Sequence, residues 1–268
     1  MQLKYLSGLA CGGVLLFSSL AATAETPPPK KMRPDPDKIV QQMCGYLKSF
    51  ERFSFRAEVT DDQVYTAGKK LQYTFDIETF VQRPDKLRVN ARGDLLDKQF
   101  FFDGKTLALY DAKRKVYATV AVPGDIESAL EHADQKLGFR VALGDFTSPQ
   151  LCKHLARGQT HSLYVGASTV RGVPTNHLAF DRQDIQLQLW VASGAQPFPV
   201  KLLINQKNLN GSPQWTAYIS DLNGKPKFAP ETFIFSPPAD ARLIKFAPLR
   251  LKTPAQAAAQ PDKTGEKP

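Results

Sequence analysis

The sequence is poor in the residues and spacings that carry chemistry. It holds four histidines and three cysteines in 268 residues. The histidines, His132, His154, His161 and His177, show no metal-binding spacing; His154 and His161 lie across the end of an expected helix. Cys11, Cys44 and Cys152 include no Cys-x-x-Cys pair, so dithiol redox catalysis has no support. Gly166-Ala167-Ser168-Thr169-Val170 lacks the final glycine of a nucleophile elbow. There is no glycine-rich phosphate loop, and the adjacent carboxylates Asp61 and Asp62 read as part of a hairpin loop. The expectation is a protein that is not an enzyme and uses no cofactor and no metal.

A long apolar run is missing too. The stretch from Leu6 to Leu20 is shorter than the roughly 20 residues that a membrane span needs. Lys4 before it and Ala22-Thr23-Ala24 after it give the form of a secretory signal, with cleavage expected after Ala24 and the periplasm as destination. Leu9-Ala10-Cys11-Gly12 is a poor lipidation box because Gly8 stands where a branched apolar residue belongs. An uncleaved signal or a lipidated Cys11 would instead tether the chain.

Charge is dispersed. Removing Lys4 from the formal +9 leaves +8 on the exported chain. Basic and acidic residues alternate, as in Asp111-Ala112-Lys113-Arg114-Lys115, which speaks against a nucleic-acid partner and leaves peripheral contact with anionic lipid open. Export leaves Cys44 and Cys152, which in an oxidising compartment either pair or pack as two buried thiols.

What is present is a strand pattern. Residues 25–37 form a proline-rich linker, and Asp37 is expected to cap a helix running to about residue 50 through Ile39, Val40, Met43, Tyr46, Leu47 and Phe50. From Phe53 the period becomes two, with six strands in series joined by turns such as Asp103-Gly104, an antiparallel meander. A helix capped by Asp125 and another opened by Ser148-Pro149 interrupt the pattern. Strands resume near 162–170, 175–181, 185–192, 199–206, 214–222 and 231–235, and a tail over 251–268 carries no pattern. One β-rich domain over 38–250 is expected.

Two stretches carry a resemblance. Arg83-Pro84-Asp85-Lys86-Leu87-Arg88, then Phe101-Phe102-Asp103-Gly104-Lys105 leading to Tyr110-Asp111, is similar to the periplasmic carriers of the LolA, LolB and LppX superfamily. Thr232-Phe233-Ile234-Phe235-Ser236-Pro237-Pro238 resembles the end of their barrel. Over about residues 38–244, with Val173-Pro174-Thr175-Asn176-His177 and Leu189-Trp190-Val191 as further matches, the chain resembles the predicted periplasmic proteins called domain of unknown function 2092. The resemblance implies a mainly β, α+β fold. It is an incomplete antiparallel barrel whose N-terminal helix and mid-chain helical insert act as a lid over an apolar ligand. Its motif falls on Arg83, Pro84, Arg88, Asp103, Gly104, Lys105 and Tyr110.

The residues expected on the apolar face are Phe53, Phe55, Tyr73, Phe75, Leu87, Val89, Phe100, Phe102, Leu107 and Leu109. Leu130, Leu137, Leu151 and Leu155 would meet them from the helices. Alternation does not distinguish a cavity wall from a filled core. Arg83 and Arg88 either latch the lid, meet a lipid head group or only make surface pairs with carboxylates such as Asp85 and Asp94. The resulting expectation is a monomeric carrier or chaperone for a lipid or acylated protein, served by a membrane donor or acceptor protein. The alternative is a protein-binding module with a filled core.

Overall fold

The computed structural model describes residues 33–65 and 68–246. The expected signal segment with Cys11, the linker up to residue 32 and the tail over 251–268 lie outside the described residues.

The first helix, α1 (Pro36–Lys48), starts two residues earlier than its apolar spacing suggests. Its cap is Asp35 rather than Asp37: the Asp35 carboxylate accepts from the amides of Asp37 and Lys38, and Pro36 fills a first-turn position that needs no N–H. A first meander follows, with β1 (Arg52–Val64), β2 (Lys70–Gln82), β3 (Lys86–Gly93), β4 (Asp97–Phe102), β5 (Thr106–Asp111) and β6 (Val116–Ala121). Next come α2 (Ile126–Gln135), a 3-10 turn at Gly144–Thr147 and α3 (Leu151–Ala156). The second meander is β7 (His161–Val170), β8 (Val173–Asp181), β9 (Ile185–Ala192), β10 (Pro199–Gln206) and β11 (Gln214–Asn223), and β12 is Arg242–Leu243.

All twelve strands form one open sheet in the order β12-β6-β5-β4-β3-β2-β1-β11-β10-β9-β8-β7. Pairing of β1 with β11 joins the meanders, and β12 and β7 are the free edges, so the barrel does not close. The pairing is antiparallel except where β12 lies parallel to β6. Cross-strand partners sort the side chains by face. Phe53 faces Val81, Ala57 faces Ile77, Leu87 faces Phe102, and Phe102 faces Leu107. This inner face is roofed by the helices and forms the main core with Met43, Leu47, Ile126, Ala129, Ala133, Phe146 and Leu151. Each large apolar side chain buried there contributes about 1.5–3 kcal/mol.

Three further local expectations need correction. Asp61 and Asp62 lie inside β1, not in a hairpin loop. There Asp62 is buried and accepts from Gln214 N and Gln72, with Lys70 beside it. Ser148-Pro149 does not open α3, which begins at Leu151; the Ser148 hydroxyl instead accepts from Gln150 N in the turn ahead of it. Residues 231–235 are not a strand. Pro230–Phe233 is a 3-10 turn, because Pro230, Pro237 and Pro238 lack the N–H groups a ladder needs. Their alternating aromatics dock sideways on the outer face, with Phe235 at 5.4 Å from Phe101 and 5.3 Å from Tyr117.

Candidate functional site

The inner face and its helical roof bring most of the expected ligand residues together. Phe53, Leu87, Phe102 and Leu107 are fully buried, and Phe55, Val89, Phe100 and Leu151 nearly so. Leu109, Leu130, Leu137 and Leu155 are half-buried and pack on this core. Tyr73 and Phe75 sit at the end of β2 away from the roof and are partly open. Between Leu47, Phe53, Phe55, Phe146 and Ile219 only about 10 Å³ remains, at or below the space one water needs.

Two arginines hold the roof to the sheet. Arg83, in the turn between β2 and β3, donates from Nη1 to the carbonyls of Leu47 and Phe50 and from Nη2 to Thr147 O at 3.2 Å. One cation therefore ties the end of α1 and the 3-10 turn to the sheet. Its guanidinium lies 5.0 Å from the centroid of Phe53. Ile126 N donates to Pro84 O, which adds the start of α2 to the same corner. Arg182, between β8 and β9, donates from Nη2 to the carbonyls of His154 and Leu155 at 3.1 and 2.8 Å and so fixes the end of α3. Burial lowers the proton affinity of both guanidiniums below the ordinary arginine value. Each leaves its Nε–H buried and unpartnered among the described residues.

The roof is also tied internally. Cys44 on α1 and Cys152 on α3 form a disulfide. His154 Nε2 contacts Glu127 Oε1 at 2.8 Å, and the Ser148 hydroxyl donates to Glu127 Oε2. The carboxylate sits between serine and histidine, so the histidine does not touch the hydroxyl as a general base for a nucleophile would. Among the described residues no cluster of three or more His, Cys, Asp or Glu side chains could hold a metal ion.

The remaining motif residues have other places. Arg88 points to the outer face, where it lies over Phe101 at 4.8 Å and Phe80 at 5.8 Å and donates to Asn90 Oδ1 and Thr232 O. It holds the C-terminal segment rather than the roof. Tyr110 is buried beneath Phe235 on that same face. Asp103 caps the turn from β4 to β5, accepting from the amides of Lys105 and Thr106. Gly104 has φ +89 there, and a Cβ would run into Asp85. Neither Asp85 nor Asp94 pairs with Arg83 or Arg88: Asp85 lies beside Lys86, and Asp94 accepts from Thr74 N. Arg182 escaped the sequence reading. An arginine following a strand end, as Arg83 does at Gln82, is the one signal the two share.

Clefts open both beside this site and away from it. One of about 520 Å³ runs between α1, α3 and β8, lined by Val40, Leu155, Phe180 and Cys152 with Asp37 and Lys153 among its polar residues. Another of about 420 Å³ lies at the far end of the first meander, around Tyr73, Phe75, Leu95 and Leu96.

Comparison with solved structures finds LprF from Mycobacterium bovis at 15% identity and TM-score 0.42, covering 79% of this chain and 100% of that one. The LolA superfamily protein of Nitrosomonas europaea matches at 10% identity and TM-score 0.38, covering 75% and 98%. The Pseudomonas aeruginosa MucA/MucB complex matches at 15% identity and TM-score 0.43, covering 79% and 64%. A search of curated proteins finds no significant match. The family described as predicted periplasmic protein (DUF2092) matches residues 36–247, and the chain belongs to that family.

Proposed function

We propose that the protein is a periplasmic carrier or chaperone that shields an apolar ligand, a lipid or an acylated protein, between the inner face of the sheet and its helical roof. The observation behind this reading is the kind of bond that holds the roof. An extended apolar face is closed by helices whose polar fastenings to the sheet, among the described residues, are a few hydrogen bonds around Arg83 and Arg182 and one from the Ser162 hydroxyl of β7 to Asp37 of α1. A roof fastened this way can lift as a unit, because the disulfide keeps α1 and α3 together. In the closed form the face beneath is filled, so ligand enters only as the roof moves. An acyl chain would then replace the lost packing at about 0.8 kcal/mol per buried methylene.

Native mass spectrometry of protein purified from periplasm, followed by lipid extraction, tests this. A stoichiometric lipid or acyl adduct is expected. A clean mass that does not change on incubation with membrane lipids would overturn carriage. It would leave a protein-binding module with a filled core, which the tight packing around Phe53 and Phe102 favours. The same spectrum checks cleavage after Ala24 from the mass of the mature chain.

A further inference from the structure

We propose that the hairpin end of the first meander, opposite the Arg83 corner, docks on an anionic lipid bilayer. Leu71, Tyr73 and Phe75 follow the period of the buried Val59 and Ile77 and therefore share the inner face. Unlike those two they pass beyond the roof, and Leu71 is 48% exposed. Leu95, on the turn from β3 to β4, is 56% exposed, and Tyr65, on the hairpin from β1 to β2, is 46% exposed. The hydroxyls of Tyr65 and Tyr73 meet at 2.8 Å, and Tyr73 and Leu95 line one cleft, so the hairpin tips form one surface. Single exposed apolar residues are ordinary on any protein; several on adjacent tips around one cleft are not.

The charges of this end are sorted. Most of its acids are engaged within the fold: Asp62 by Gln214 N, Gln72 and Lys70, Asp94 by Thr74 N, Asp111 by Arg114, while Asp61, which also lines the cleft, accepts from the Gln63 side-chain amide. Lys69 and Lys98 are exposed and have no acidic partner among the described residues. Among the described residues the Lys113 ammonium is held by the carbonyls of Gly93 and Asp94 at the cleft. Apolar tips ringed by lysines fit the layered boundary of a bilayer, with side chains entering the acyl edge and ammonium groups at the phosphates. The proposal puts the source or sink of cargo at the membrane and rests in that respect on the carrier reading. The surface itself is tested without cargo, so the two fail separately.

The test is co-sedimentation of the mature full chain with phosphatidylglycerol-containing vesicles and with purely zwitterionic phosphatidylcholine vesicles. Salt-sensitive binding to the anionic vesicles alone is expected. Leu95→Asp and the pair Lys69→Glu/Lys98→Glu should each weaken it about ten-fold or more. Leu163→Asp, at an exposed leucine on the β7 edge, should bind as the parent does, and unchanged melting temperatures would show that all variants fold. No binding to anionic vesicles overturns the proposal, and so does full binding by the Leu95→Asp variant.

Discussion

Arg83 gives three main-chain carbonyls, of Leu47 in α1, Phe50 just beyond it and Thr147 in the 3-10 turn, a shared cation. Replacing it with methionine keeps much of the apolar stem but leaves those carbonyls without their donor, so Arg83→Met should cost about 2–4 kcal/mol in urea unfolding at neutral pH. A loss below about 0.5 kcal/mol would mean that water takes over the carbonyls freely. His177 offers a second test at this scale. It stacks on Trp190 at a centroid distance of 4.0 Å. Burial, with help from Lys201 and against the Gln188 hydrogen bond, lowers its pKa. The unfolded chain therefore binds the proton more readily, and stability falls as pH drops from above the ordinary histidine value of about 6.5 toward the lower folded value. The melting temperature should decline from pH 7.5 to 5.5, and His177→Gln should flatten that decline. An equal decline in the variant would assign it to other groups. Of these residues Arg83 was legible from Arg-Pro at a strand end, through the resemblance. Arg182 was not, because its role depends on a turn meeting a helix end 27 residues earlier in the chain, a contact no local pattern encodes.

Among the elements, those with a strict period were readable and those shaped by tertiary contact were not. Phe53 to Val59 alternate because one face of the strand is covered and the other wet, and Leu71 to Ile77 continue that face, although of these four only Ile77 lies fully under the cover. Phe233 and Phe235 also alternate, yet their period comes from docking two rings on a finished sheet, with prolines on either side excluding a ladder. Phe101, left off the expected inner face between Phe100 and Phe102, faces outward under Phe235. The pairing of Cys44 with Cys152 depends on α1 and α3 packing together across 108 residues, which the sequence left open. Closing a loop of that length restrains the unfolded chain, so Cys44→Ala/Cys152→Ala should lose about 2–4 kcal/mol against the oxidised parent. Reducing the parent should reproduce the loss. A double variant as stable as the oxidised parent would show that helix packing alone holds the two elements.

For the whole molecule, the decisive property is whether roof and sheet unfold together. The central strands β2, β1 and β11 make long ladders, with thirteen paired positions between β1 and β2 alone and a single register shift at Ser54–Arg56 between β1 and β11. The roof instead consists of separate helices, thirteen residues in α1, ten in α2 and six in α3, held by a few hydrogen bonds at their ends and by the apolar face below. Alternation of apolar residues in the sequence described that face correctly but was silent on whether it is a core or a covered site, since both demand the same side chains. The difference lies in an energy gap, not in a pattern. A carrier needs a roof that opens at a lower free energy than global unfolding, whereas a filled-core module does not. Native-state hydrogen exchange should therefore show the amides of α2 and α3 exchanging through a partial opening, at lower denaturant sensitivity than those of β1 and β2. Arg83→Met should lower the opening free energy of the roof more than that of the sheet core. If roof and sheet amides instead converge on one free energy, and the variant shifts them equally, the roof is part of one cooperative core. The apolar face would then be inaccessible to any ligand short of unfolding.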